Sequence, residues 1–134
     1  HFLKFQSEPW RLYPEFDLGV HFSTRPEPFG RVIVEAMASG VPVIAALGGG
    51  PREIVEHGMT GWLAPPRDVR ALSELMVAGL AADRQAMGTA ARRAAVERFS
   101  ADHFAERVAS VLRAAAGAGR AGAPFSPRPT AEDD

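Results

Sequence analysis

The sequence predicts an α/β fold: a parallel sheet with helical crossovers, ending in helices. Three observations predict it. Strand-like and helix-like segments alternate through the first two-thirds of the chain. The run at residues 41–46 (VPVIAA) is uniformly apolar, as a buried strand covered on both faces must be. The last third carries three helical patterns, each opened by a residue able to cap it: Asp68, Asp83 and Ser100.

Each element follows in order. Residues 1–5 (HFLKF) read as a short strand. Residues 6–16 read as a connection with a short helix, in which Trp10, Leu12 and Tyr13 are apolar anchors and Pro14 cuts the helix short. Residues 17–23 (DLGVHFS) read as a strand, and residues 24–30 (TRPEPFG) as a loop punctuated by proline and glycine. Residues 31–39 (RVIVEAMAS) predict a helix ended by Gly40. After the strand at 41–46 comes a glycine-rich turn, then a short helix over 51–56 with proline at its first position. Residues 60–64 (TGWLA) predict another strand. A helix to about Ala82 follows, with Leu72, Leu75, Met76 and Leu80 on one face. An alanine-rich helix then runs to about Phe99, and a last one places Phe104, Val108, Val111 and Leu112 on one face. Residues 1–116 are expected to form one domain, and residues 117–134, rich in Gly, Ala and Pro with an acidic end, a disordered tail.

Composition narrows the function classes. The 134 residues carry 15 Lys plus Arg and 16 Asp plus Glu, a net charge of -1, without the basic excess of a nucleic-acid or anionic-membrane binder. Cysteine is absent, which excludes disulfides, thiol catalysis and Cys-containing zinc sites. No two histidines have metal-ligand spacing. Ser23, His21 and Asp17 alternate on one strand face, but no nucleophile elbow accompanies them. His21, between Val20 and Phe22, reads as a packed or hydrogen-bonded histidine, and His57 as a helix-end residue favoured by the dipole.

The chemistry concentrates in residues 25–40. Arg31, Glu35 and Ser39 are the polar residues of an otherwise apolar helix and, four apart, share one face. Two readings stand for Glu35: an ion pair with Arg31 on an exposed edge, which the pattern alone favours, or a carboxylate that accepts hydrogen bonds from ligand hydroxyls. Before the helix, Gly30 lets backbone come close to a ligand and the free N–H groups of the helix start favour an anion. Glu27 stands at the same end, either complementing the helix dipole or bonding a ligand hydroxyl. Gly48, Gly49 and Gly50 lead from strand to helix, as a phosphate cradle or a plain tight turn, with Glu53 in the helix that follows. Neither the dinucleotide fingerprint nor the P-loop is present, which disfavours a Rossmann oxidoreductase.

Taken in order, STRPEPFGRVIVEAMASGVPVIA (residues 23–45) and GGGPREIVEHGMTGWL (residues 48–63) resemble the donor-site signature of retaining glycosyltransferases of family four, the glycosyl transferases group 1 domain. The resemblance spans roughly residues 2–115. It implies the GT-B architecture of two Rossmann-like domains facing a cleft, this chain resembling the truncated C-terminal donor-binding one. The hallmark is two glutamates with seven residues between them, here Glu27 and Glu35. Glu27 resembles the catalytic glutamate that contacts donor-sugar hydroxyls, and Glu35 the one that holds the ribose hydroxyls, which reverses the preference for a plain ion pair. Pro28, Phe29, Gly30, Arg31 and Val32 match the loop and helix start whose backbone meets sugar and diphosphate. Gly49, Gly50 and Glu53 match a cleft loop of the family. The implied substrate is a UDP-, GDP- or ADP-sugar, with no metal and no other cofactor, and the implied setting is cytoplasmic, with peripheral membrane attachment as in many members. Lys4, where the family has glycine, and Pro14 depart from the pattern. The family's Arg- and Lys-bearing segment and its N-terminal acceptor domain match nothing here. Turnover is therefore expected to need that missing domain, in the same chain or a separate one; the alternative is a non-catalytic nucleotide-sugar binding module.

Overall fold

The computed structural model describes residues 1–119, which divide into two units, residues 1–100 and a second beginning at Ala101. In the first unit three parallel strands form one sheet in the order β1 (Gly19–His21), β2 (Val43–Ala46), β3 (Gly61–Ala64). Gly19 faces Val43 and His21 faces Ala45 across one ladder; Val43 faces Gly61 and Ala46 faces Ala64 across the other. β2 is the central strand and all four of its residues are buried, as its unbroken apolar run predicts. Pro42, with no N–H to give, sits just outside β2 and uses its carbonyl to accept from Gly19 N at 2.9 Å.

Two expectations at the start of the chain fail. Residues 1–5 form no strand. An extended segment becomes a strand only through ladder bonds to a neighbour, and none of the described residues supplies one. The predicted short helix is instead two 3-10 turns, Pro9–Arg11 and Tyr13–Glu15. Pro14 lacks the N–H that a continuing helix requires, and each turn carries a proline near its start. Tyr13 is buried, but Trp10 is exposed.

The crossover helix α1 (Arg31–Ala38) buries Ile33, Ala36 and Met37. It stops where Gly40 takes a left-handed φ of 79°. Gly40 N–H then bonds the Met37 carbonyl at 2.9 Å and Val41 N–H the Ala36 carbonyl at 3.0 Å, a Schellman closure that delivers Val41 into the core. α2 (Gly50–Ile54) begins one residue earlier than predicted, with Pro51 in its first turn.

Asp68 caps α3 (Val69–Ala81) by accepting from Ala71 N at 2.9 Å, and Asp83 caps α4 (Arg84–Phe99) by accepting from Ala86 N at 3.0 Å. Such caps stabilise by about 1 kcal/mol each. The apolar stripe of α3 is only half-used. Leu72 and Leu75 are half-buried, Met76 and Leu80 are exposed, and the buried Gly79 lies where a Cβ would press on Trp62 and Leu18. α4 packs on α1 through the small buried residues Gly88, Ala91 and Ala95. Arg92 locks that contact by donating to the Ala38 carbonyl at 2.6 Å.

In the second unit, α5 (Ala101–Gly119) carries Phe104, Val108, Val111 and Leu112 on one face, as predicted. It passes the expected boundary at Ala116. Residues 120–134, most of the segment read as a disordered tail, lie outside the described residues.

Candidate functional site

An open cleft lies where the carboxyl ends of the three strands come together. His21 at the end of β1 and residues 23–27 beyond it, Ala46 at the end of β2 with Leu47 and Gly48 beyond it, and Pro66 after β3 line it. In open parallel sheets this is the edge where ligands bind, because crossover loops there diverge and leave a crevice. Ser23, Thr24 and Arg25 lie in the same wall as Glu27.

The backbone of Glu27 is held and its carboxylate stands beside His21. Its carbonyl accepts from Gly50 N at 2.8 Å. Its carboxylate, 32% exposed, has Oε2 3.8 Å from His21 Nε2. The glycine turn explains itself here: a Cβ on Gly49 would strike the Glu27 backbone, and one on Gly50 the Phe29 backbone. These two glycines are small so that two loops can touch. Gly48 faces open space and, with Pro51, lines the cleft. The side chain of Glu53 is exposed on α2, and its carbonyl is engaged by Arg98.

Gly30 caps α1 in a left-handed conformation (φ 94°) and is buried, with no room for a Cβ beside Ile33. Pro28, Phe29, Arg31 and Val32 are exposed around it. The Phe29 ring meets Phe99 of α4 edge to face, with centroids 5.9 Å apart. The amides of Arg31 and Val32 precede the helical ladder and open from the positive end of α1.

Glu35 realises the ion pair that the four-residue spacing predicts and adds a partner. Its Oε1 accepts from Arg31 Nη2 at 3.1 Å and its Oε2 from the Tyr13 hydroxyl at 3.1 Å. The side chain stays 32% exposed. Burial first, and then the bond to Glu35, push the Tyr13 phenol above its ordinary pKa. Tyr13 was legible as an apolar anchor only; the signal for more was that a carboxylate on a mostly apolar helix needs donors.

His57 does something other than favour a helix dipole. Its Nδ1 accepts from Leu63 N at 3.0 Å and its backbone bridges to Gly61, so it splints the turn before β3. No group of three or more His, Asp or Glu able to hold a metal occurs among the described residues. No described helix is long and apolar enough to cross a membrane.

A parallel sheet with helical crossovers, a cleft at its strand ends and a helix start beside that cleft define a Rossmann-like domain. The chain belongs to the family of glycosyl transferases group 1, whose model matches residues 1–94. It is 37% identical to the sucrose synthase of Acidithiobacillus caldus over 65% of its length and 12% of that protein's. It is 38% identical to a GDP-mannose-dependent alpha-mannosyltransferase of Mycobacterium tuberculosis, over 71% of this chain and 25% of the relative. Among solved structures, Anabaena Alr3699/HepE in complex with UDP and glucose superposes with a TM-score of 0.78 at 38% identity, covering 85% of this chain and 32% of that one. Sucrose-phosphate synthase from Thermosynechococcus elongatus gives 0.72 at 34%, covering 79% and 27%. These neighbours are GT-B glycosyltransferases, and the present chain spans a third or less of each relative.

Proposed function

We propose that this chain is the donor-binding part of a retaining glycosyltransferase, which moves a hexosyl group from a nucleoside-diphosphate sugar to an acceptor held by a second Rossmann-like domain. The start of α1 carries the reading. Two carboxylates, a helix N-terminus with open amides and an arginine in its first turn are gathered within nine residues. A cation there opposes the helix dipole, so Arg31 is costly unless anions surround it. Glu35 is one such anion, and a donor diphosphate at the open amides would be another. The named relatives support the substrate class: one is GDP-mannose-dependent, and a solved neighbour holds UDP and glucose.

In this reading Glu35 takes the ribose hydroxyls, exchanging or sharing its Arg31 and Tyr13 partners. Glu27 meets sugar hydroxyls near the reacting carbon. The amides from residues 29–32 stabilise the departing diphosphate, so that rate comes from placement and charge stabilisation. No metal is needed, and the protein would work in the cytoplasm or at a membrane surface.

Calorimetric titration with UDP-, GDP- and ADP-sugars tests the proposal. One of the panel is expected to bind. Glu35→Ala is expected to weaken that binding roughly ten- to hundredfold, the scale of hydrogen bonds to a charged group. A folded protein that binds none of them, or binds equally well without Glu35, sinks the reading.

A further inference from the structure

His21 and Glu27 line the same cleft, with their side chains 26% and 32% exposed and 3.8 Å apart at the nearest atoms. His21 is fixed by the sheet, since it is the last residue of β1 and pairs with Ala45. Its other ring nitrogen, Nδ1, is buried and has no hydrogen-bond partner among the described residues. A proton on Nδ1 would be a buried donor with nothing to accept it, which is costly. The single proton of the neutral ring therefore belongs on Nε2, the nitrogen that faces the Glu27 carboxylate.

We propose that His21 is a positioning residue that holds the Glu27 carboxylate toward the donor sugar, and so serves recognition of the sugar and not of the nucleotide. The proposal rests on the reading above, in which Glu27 meets sugar hydroxyls. The backbone of Glu27 is already pinned by Gly50 N–H, so the torsions of its side chain are what remain to be set. The carboxylate end of that side chain stands beside the His21 ring, whose backbone is held in the β1–β2 ladder. At 3.8 Å the pair stands just outside a formed hydrogen bond. Such contacts tighten when a ligand orders the carboxylate. His21 forms no bond to the sugar and transfers no proton.

The test compares each nucleotide sugar with its own diphosphate on the full chain: UDP-glucose with UDP, GDP-mannose with GDP, ADP-glucose with ADP. His21→Phe keeps the ring and loses the N–H. In the pair that binds, it is expected to cost roughly tenfold in affinity for the nucleotide sugar and to leave the free diphosphate within about twofold. His21→Gln, which restores an N–H donor, is expected to recover most of the loss. In a Glu27→Ala background, His21→Phe is expected to cost nothing further. If His21→Phe does not fold, His21→Asn, polar but too short to reach Glu27, takes its place. Equal losses for sugar nucleotide and diphosphate would mark His21 as merely structural, and no loss would mark it as idle; either overturns the inference. Wild-type protein that binds none of the six compounds overturns the donor reading itself, a different failure.

Discussion

Tyr13 and Glu35 are 22 residues apart and meet in one hydrogen bond. Nothing local in the sequence announces that pair. The four-residue spacing predicts the Arg31 partner of Glu35, but its second partner arrives from a separate 3-10 turn, Tyr13–Glu15. The bond makes a measurable prediction, because Tyr13 is the one tyrosine of the chain and phenolate absorbance reports it alone. Its pKa is raised above 10.0 by burial and then by Glu35. The folded state thus keeps the phenol proton longer than the unfolded chain does. The associated stability is whole below the ordinary phenol value of about 10 and is lost as pH rises through the folded value. An absorbance titration of the native protein is expected to reach its midpoint above that of free tyrosine. Glu35→Gln is expected to lower the midpoint part of the way, since burial remains. A native midpoint at the free value would show that the bond does not form in solution. The same limit of legibility applies to the glycines: Gly49 and Gly50 were readable as a turn, but not as the space into which residues 27–29 fit.

At the scale of elements, most helices and the central strand were legible because their signals are local: a capping aspartate, a closing Gly40, an unbroken apolar run. The support of the cleft loops was not, because it comes from the far end of α4. Arg98 reaches back to the carbonyls of Glu53 and Ile54 at the end of α2 and to the Glu56 carboxylate. Its guanidinium lies 5.0 Å from the Phe99 ring centroid. Phe99 in turn abuts Phe29. One helix end thereby contacts both the loop that carries Glu27 and Phe29 and the end of α2, the helix whose first residue, Gly50, bonds Glu27. Phe99→Leu keeps an apolar side chain and loses the edge-to-face contact, worth about 0.5–1.5 kcal/mol. Amide hydrogen exchange is expected to show faster opening at Gly50 in that variant, with the amides of β2 unchanged. Uniform acceleration across the sheet would mean that Phe99 supports the whole unit rather than these loops.

For the whole molecule, the family was legible because one motif orders strand, loop and helix around the same cleft. What was not legible is that the start of the chain would leave apolar surface uncovered. Residues 1–5 carry Phe2, Leu3 and Phe5, all exposed, and Trp10, Phe16 and Val20 are exposed near the strand that borders the sheet. Sequence reasoning gave residues 1–5 ladder bonds, but pairing is a property of the sheet and not of the segment. β1 meets β2 on one side and no described strand on the other. Open strand edges flanked by apolar side chains recruit further chain. These 134 residues, produced on their own, are therefore expected to self-associate, with a sedimentation-derived mass that rises with concentration. Phe2→Ser combined with Phe5→Ser is expected to shift the onset to higher concentration and to leave the circular dichroism of the folded unit intact. A mass fixed at 14.3 kDa at every concentration would show that this surface is satisfied within the chain, and that the uncovered edge is not a feature of the protein in solution.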